Sequence, residues 1–179
     1  NHSTGKMGFA LAAACYAAGA KVTLIAGPVS LETPNGVRRI NVQSAVQMLD
    51  QSMALLDQGC DIFIATAAVA DWRPAHAADQ KIKKDGSGQS PSLEFVENPD
   101  ILATVANSDR AQQGQLYCVG FAAESDNLLA HASAKRVRKN VPLLVGNIGP
   151  LTFGQDDNEM GTSAVKKLVE ANFVAAWVS

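Results

Sequence analysis

The residues best suited to chemistry lie between Ile62 and Lys84, where an acid and a lysine cluster follow a predicted buried strand. The acid is Asp71, and Lys81, Lys83 and Lys84 begin ten residues later. Carboxylate oxygens bind divalent cations and ammonium groups bind phosphates, so this spacing suits a phosphate-bearing ligand with its metal. A strand followed by a solvated, charged loop would give the same pattern, because runs of like charge are usually exposed.

Two predicted strands end in residues that allow a ligand to approach the backbone. The first strand, IFIA, runs into small side chains: Ala65, Thr66, Ala67 and Ala68. The second, from Leu116 to Gly120, continues into Phe121 and the acid Glu124. Ligands of open α/β sheets bind outside the carboxyl ends of the strands, so both strand ends are candidate parts of one site.

The start of the chain predicts part of a nucleotide-binding unit. A glycine-containing turn with Gly5 and Gly8 leads into an Ala-rich helix from Lys6 to Ala18, and a β-branched strand follows from Lys21 to Ala26. Loop, helix and strand are the order of a βαβ unit that lacks its first strand. We therefore expect the natural chain to extend upstream of Asn1. Tight packing of the helix on the sheet is the alternative explanation for the glycines.

The middle of the chain continues the alternation of strands and helices. RRINV predicts a short strand, and SAVQMLDQSMALLDQG predicts a helix whose apolar face repeats in steps of three and four residues. The residues of that face are Val46, Leu49, Met53 and Leu56. After the lysines, the turn DGSGQS separates two short segments and predicts an antiparallel hairpin from Lys81 to Val96.

The remaining segments complete the predicted sheet. ENPDIL predicts a helix start with Asn98 as its cap, Pro99 at the first position and Asp100 in the first turn. DNLLAHASAKRVRKN predicts a cationic helix, and VPLLVGN predicts a strand that closes the sheet at about Val145. The fold class is therefore α/β, a Rossmann-like, doubly wound and mostly parallel sheet with an antiparallel hairpin insertion. Residues 1–179 are predicted to form one domain.

Composition limits the class of partner. A formal net charge of −2 and a pI near 5.9 give no general attraction to nucleic acid or anionic membrane, so an anion site must be local. Three separated cysteines, Cys15, Cys60 and Cys118, lie in apolar contexts and are predicted to be reduced core residues of a cytoplasmic protein. No apolar segment is typical of a transmembrane helix, and the histidines show no metal-ligand spacing.

Six motifs occur together in one order: NHSTGKMG, GPVSL, AAVADWRP with KIKK, ENPDIL, VGFAAE and KRVRKN. In this order and spacing the chain resembles the phosphopantothenoylcysteine synthetase (CoaB) family, from Asn1 to about Asn158. In bacteria this family usually forms the C-terminal half of a bifunctional flavoprotein. Six ordered motifs are far more specific than a single glycine-containing turn.

The resemblance implies an enzyme, a phosphopantothenate–cysteine ligase of coenzyme A biosynthesis. The family joins 4'-phosphopantothenate to L-cysteine with CTP and Mg²⁺, through an acyl-cytidylate intermediate and with release of pyrophosphate. It also implies a homodimer, for which the predicted hairpin is a candidate interface because its edge is exposed. The flavin-binding half is not in this chain, so FMN is not expected here, and neither nucleic acid nor membrane is an expected partner.

The resemblance also assigns site residues. Asn1 and Lys81 are the implied catalytic residues, Asn1 for holding the acyl-cytidylate and Lys81 for neutralising phosphate charge. Phe121 is expected to pack against the base or ribose. The implied nucleotide contacts are Ala65, Thr66, Ala67, Asp71, Lys81, Pro99, Asp100, Ile101, Leu102, Phe121, Lys135 and Lys139. The sequence does not identify the metal ligands.

Some segments depart from the family. Many members have A-N-D where this chain has Gly146, Asn147 and Ile148, and residues 159–179 have no counterpart that we can match. Two other functional classes stay open. One is a nicotinamide-binding Rossmann reductase, although neither Tyr16 nor Tyr117 is followed by the lysine such enzymes use. The other is a non-catalytic regulatory paralogue that retains the fold.

Overall fold

A computed structural model describes residues 4–76, 92–124, 128–148 and 173–177. The helices in these ranges are α1 (Lys6–Ala17), α2 (Ala45–Asp57), α3 (Ile101–Ala106), α4 (Asp109–Gln112) and α5 (Leu128–Lys139). The strands are β1 (Val22–Ala26), β2 (Arg38–Asn41), β3 (Ile62–Ala65), β4 (Trp72–Pro74), β5 (Phe95–Glu97), β6 (Tyr117–Glu124), β7 (Leu143–Ile148) and β8 (Phe173–Trp177). These bounds agree closely with the predicted helices and with the predicted strands of the main sheet.

Six of these strands form one parallel sheet in the order β2-β1-β8-β3-β6-β7. Helices cover both faces. Phe9 and Ala12 of α1 pack on one face, while Met48 of α2 and Val105 of α3 pack on the other. This confirms the predicted doubly wound α/β fold, in which strands buried on both sides are apolar throughout.

Strand β8 was not predicted, and it lies within residues 159–179, for which the family offers no matching segment. Its backbone lies at the centre of the sheet, parallel to β1 on one side and β3 on the other. Helix α1 packs across β1 and β8. A right-handed βαβ unit would place the strand preceding α1 in this position, so β8 lies where we expected a strand from upstream of Asn1.

The antiparallel pair is confirmed, but with a different first strand. β5 lies inside the predicted second arm of the hairpin, and its partner is β4, with Trp72 opposite Glu97 and Pro74 opposite Phe95. The sequence analysis missed β4 because its short WRP sequence contains a proline and no alternation. The lysines of the predicted first arm lie outside the described residues. Trp72 and Phe95 are exposed on this ribbon.

The apolar face of α2 differs in part from the prediction. Val46 is exposed, and the buried residues are Ala45, Met48, Ser52, Leu55 and Leu56. The error has a physical cause: the Ser52 hydroxyl donates to the carbonyl of Met48, so a polar residue occupies the centre of the buried face. Ser44 caps the helix by accepting a hydrogen bond from the amide of Gln47.

Among the described helices, none is both long enough and apolar enough to span a lipid bilayer.

Candidate functional site

A cavity of about 530 Å³ opens at the carboxyl ends of β3 and β6. This is the position at which open α/β sheets bind their ligands. Its walls come from the loop after β3, the loop between β5 and α3, the end of β6 and the last turns of α5. The lining residues are Met48, Ala65, Ala67, Val69, Ala70, Asp71, Glu97, Asn98, Pro99, Asp100, Ile101, Leu102, Phe121, Lys135, Arg138 and Lys139.

Most residues predicted for the site converge on this cavity from four separate stretches of the chain. They are Ala65, Ala67, Asp71, Pro99, Asp100, Ile101, Leu102, Phe121, Lys135 and Lys139. Thr66 is an exception, since it is buried and does not line the cavity. Asn1 and Lys81 lie outside the described residues. Side chains that are distant in sequence therefore line the same cavity. A ligand with several functional groups requires such an arrangement.

The floor of the cavity is apolar and closely packed. Phe121, half-buried in the middle of β6, packs against the core cluster on the α1 side of the sheet, whereas Met48, Ile101 and Leu102 pack together on the side of α2 and α3. Gly120 makes this packing possible, because a Cβ atom added there would lie 2.5 Å from the Cδ2 atom of Leu102. Any larger residue would push Leu102 away from the sheet. This apolar floor is suited to hold a flat ring of a ligand.

Asp100 links the two charged walls of the cavity. Its Oδ1 atom accepts a hydrogen bond from the amide of Ala103 at 3.0 Å and so caps α3. Its Oδ2 atom forms an ion pair with Lys139, in the last turn of α5. The prediction that Asn98 caps α3 is therefore wrong. The backbone amide of Ala103 at this helix start is already bound by the Asp100 carboxylate.

The ionisation of Asp100 reflects these contacts. Burial by itself would raise its pKa, but the hydrogen bonds from Lys139 and from the amide of Ala103 oppose this. The positive charges of Lys139 and Arg138 act in the same direction, and the net result is a pKa below the ordinary value of 3.8. Asp100 is therefore anionic at neutral pH, and it holds Lys139 at the cavity wall.

Replacing Asp100 with asparagine should remove this charge while keeping the helix cap, because both residues are good N-caps. A depressed pKa stabilises the folded state above the unfolded-state pKa, and that contribution disappears as pH falls through the folded-state pKa. The free energy of unfolding of the wild type should thus exceed that of D100N near pH 7, with the difference shrinking below about pH 4. Urea titrations from pH 7 to pH 3 measure it. A difference that grows on acidification would contradict the assignment.

The sequence analysis missed several lining residues. These are Met48, Val69, Ala70, Glu97, Asn98 and Arg138. Arg138 could have been found, because it lies three positions after Lys135 and therefore on the same helix face. Asn98 was predicted as the cap of α3, not as a residue that lines the cavity. Its side-chain amide donates to the carbonyl of Ala70 at 2.8 Å, across the cavity mouth from α3.

The side chains that line the cavity suit a divalent cation that is held mainly by a molecule bound in the cavity and less by the protein. Within the described ranges no group of three His, Cys, Asp or Glu side chains is arranged for a metal ion. Asp71 is an exposed carboxylate on the cavity wall. Mg²⁺ is commonly bound by one or two carboxylates together with substrate phosphates, so a protein-only cage is not needed.

Cys60 and Cys118 are buried core residues as predicted, whereas Cys15 is only partly buried. Burial raises the pKa of Cys15 to about 11. Burial, with a smaller effect of Cys60, raises the pKa of Cys118 to about 12. Thiols with such pKa values carry almost no thiolate at neutral pH and are poor nucleophiles.

Known proteins resemble this chain over most of its length. Residues 1–172 match the family described as "DNA/pantothenate metabolism flavoprotein C-terminal domain". Curated relatives named "Coenzyme A biosynthesis bifunctional protein CoaBC" include those of Vibrio cholerae, 46% identical over 163 residues, and Escherichia coli K12, 48% identical over 148 residues. These alignments cover 89% and 82% of this chain but only 40% and 36% of the relatives.

A solved structure shares the fold. The crystal structure of the C-terminal domain of coenzyme A biosynthesis bifunctional protein CoaBC superposes with a TM-score of 0.67 at 34% identity. The match covers 82% of this chain and 66% of the solved one. Sequence and fold lead to the same classification: the chain belongs to the family of DNA/pantothenate metabolism flavoprotein C-terminal domains.

Proposed function

We propose that this domain is a phosphopantothenate–cysteine ligase, which joins 4'-phosphopantothenate to L-cysteine at the expense of CTP in coenzyme A biosynthesis. One observation carries the proposal: ten of the twelve residues that the family resemblance assigns to the nucleotide line a single cavity at the carboxyl edge of the sheet. The relatives' names place those proteins in the same pathway. The chain spans less than half of their length, so our proposal for this domain is supported by the cavity and the motifs rather than by those names.

The reaction has two steps that release two leaving groups. A carboxylate oxygen of 4'-phosphopantothenate attacks the α-phosphorus of CTP, and the bond to pyrophosphate breaks. The cysteine nitrogen then attacks the acyl carbon, CMP leaves and the amine loses a proton, which gives the amide. Both steps concentrate negative charge near phosphate, so catalysis needs fixed positive groups in a site with little water.

The cavity supplies such groups on one helix. Lys135, Arg138 and Lys139 line it from α5 at spacings of three and four residues, which places them on one face. We assign this face to the phosphates of CTP. Phe121 is assigned to the cytosine ring or ribose, because the family resemblance implies that role and Phe121 lines the cavity.

Two implied catalytic residues remain predictions, since Asn1 and Lys81 lie outside the described residues. We retain the amide of Asn1 for the acyl-cytidylate and the ammonium group of Lys81 for phosphate neutralisation. Asp71 would hold Mg²⁺, which when bound supplies positive charge to the phosphates.

We further propose that two copies of the chain associate through the β4–β5 ribbon. Trp72 and Phe95 are both more than half exposed there, and no third strand from the described part of the chain pairs with the edges of the ribbon. The reduced cysteines favour a reaction in the cytoplasm. This domain's chemistry requires no flavin, so FMN is not among the proposed cofactors.

The test is pyrophosphate release from CTP and Mg²⁺ with 4'-phosphopantothenate, with and without L-cysteine. We expect release that depends on phosphopantothenate, and mass spectrometry should detect the acyl-cytidylate when cysteine is withheld. CTP binding without any pyrophosphate release would instead support a non-catalytic paralogue. Absence of CTP binding, together with binding of a nicotinamide dinucleotide, would support the reductase.

A further inference from the structure

We propose that Asn98 is a positioning residue that locks two loops together and thereby sets the shape of the nucleotide cavity. The loops are residues 66–71, after β3, and residues 98–100, before α3. The inference rests on the proposed function in one respect: CTP is taken as the ligand of the cavity.

Asn98 bonds to the first loop through its backbone and its side chain. Its amide nitrogen donates to the carbonyl of Asp71 at 2.7 Å, and its Nδ2 atom donates to the carbonyl of Ala70 at 2.8 Å. Two adjacent carbonyls of one loop are thus held by one residue of the other. The backbone bond would survive any substitution except proline, so the side-chain bond is the part that depends on asparagine.

Arg73 orients the asparagine from outside the cavity. One guanidinium nitrogen, Nη1, donates to the Asn98 Oδ1 atom at 3.2 Å and to the carbonyl of Glu97 at 2.6 Å. The side-chain amide of Asn98 therefore uses its oxygen as an acceptor and its nitrogen as a donor. Aspartate can only accept when ionised, and it would place a negative charge against the carbonyl of Ala70. Asparagine is thus the residue that satisfies both partners.

The bonded atoms belong to residues next to the charged groups of the cavity. The side chain of Asn98 holds the carbonyl of Ala70, the residue before Asp71, so the position of the Asp71 carboxylate depends on this contact. Asp100 follows Asn98 with only Pro99 between them, and the fixed φ of proline limits how far Asp100 can move independently. Asp100 in turn holds Lys139. One side chain therefore positions both an acid and a cation of the site.

Loss of the contact should reduce the fraction of molecules whose loops are arranged to bind the nucleotide. The apparent dissociation constant rises in inverse proportion to that fraction, so a fall to one tenth would weaken binding about tenfold. The chemical step is unaffected once CTP is bound. The expected signature is a rise in KM and Kd for CTP with little change in kcat.

The experiment compares Asn98→Ala, Asn98→Asp and Arg73→Met with the control Asn41→Ala. Asn41 also accepts from an arginine, Arg39, but it lies on β2 and does not line the cavity. Calorimetry gives the Kd of CTP with Mg²⁺, steady-state pyrophosphate release gives KM and kcat, and thermal unfolding gives Tm. We expect N98A to raise Kd and KM about tenfold, N98D at least as much, and R73M about threefold, with N41A unchanged.

Arg73→Met separates positioning from direct contact, because Arg73 does not line the cavity. A wild-type Kd in R73M, with a raised Kd in N98A, would show that Asn98 acts as a ligand and would overturn the inference. A lower Tm in N98A with unchanged Kd and KM would also overturn it. If the wild type binds CTP but releases no pyrophosphate, the proposed function fails. The Kd values of the variants for CTP then still test whether Asn98 positions the two loops. If the wild type binds no CTP, both fail.

Discussion

Replacement of Lys139 with methionine should lower kcat/KM for CTP by about two orders of magnitude. Two effects combine. The variant loses a cation that faces the phosphates, and it leaves the Asp100 carboxylate at the cavity wall without the Lys139 partner it has in the structure. Loss of a charge-assisted bond to phosphate costs about 1.5–3 kcal/mol, and the unpaired, partly exposed Asp100 carboxylate adds up to about 1 kcal/mol. Each 1.36 kcal/mol corresponds to a factor of ten in rate.

A double variant tests the second effect directly. If the unpaired carboxylate repels the phosphates, Asp100→Asn combined with K139M should recover about a factor of ten relative to K139M alone. Steady-state pyrophosphate release at saturating cysteine gives kcat/KM for K139M, for the double variant and for the control variant. Arg136→Met is the matched control, because Arg136 is exposed on the same helix and does not line this cavity. Equal activity of the single and double variants would show that Asp100 does not face the phosphates.

Replacement of Ala175 with proline should abolish cooperative folding. Ala175 lies at the middle of β8, level with Leu24 of β1 and Ile64 of β3. Proline removes the backbone N–H group, and in a central strand this group has a partner on one side or the other. The cost is about 3 kcal/mol or more, a large part of the 5–15 kcal/mol by which a typical domain is stable.

Ala175→Gly is the control, since glycine keeps the N–H group and costs only about 1 kcal/mol. Circular dichroism and urea unfolding report both variants. A cooperative transition in A175P at the wild-type midpoint would show that β8 is not a central strand. A loss of folding in A175G as great as in A175P would show that the N–H group is not the decisive element.

The alternation of strands and helices was predictable because its signals are local. Ile62 to Ile64 are buried on both faces of the sheet, and such strands appear in sequence as continuous apolar runs. The cavity was predictable to the extent that its residues follow strand ends or belong to motifs, as Asp71, Asp100 and Phe121 do. That residues 1–179 form one domain stays a prediction.

The parts that sequence did not reveal depend on contacts between distant segments. Nothing local to residues 173–177 indicates that their strand enters the sheet between β1 and β3. Arg73 and Asn98 are 25 positions apart, and their pairing follows from the β4–β5 register rather than from either side chain. The Ser52 hydroxyl donates a hydrogen bond to the carbonyl of Met48, which allows a polar residue on the buried face of α2. A hydropathy pattern does not indicate such a bond.

The central position of β8 also determines when the molecule can fold. Nearly the whole chain separates β8 from β1, yet β8 alone bridges β1 and β3 in the sheet. Until residues 173–177 have emerged from the ribosome, β2-β1 and β3-β6-β7 are two partial sheets, and the inner edges of β1 and β3 carry unpaired backbone groups. Such edges promote association between nascent chains, and contacts of this sequence separation form slowly. Completion of the sheet therefore waits for residues 173–177, and until then the open edges of β1 and β3 are available for association between chains.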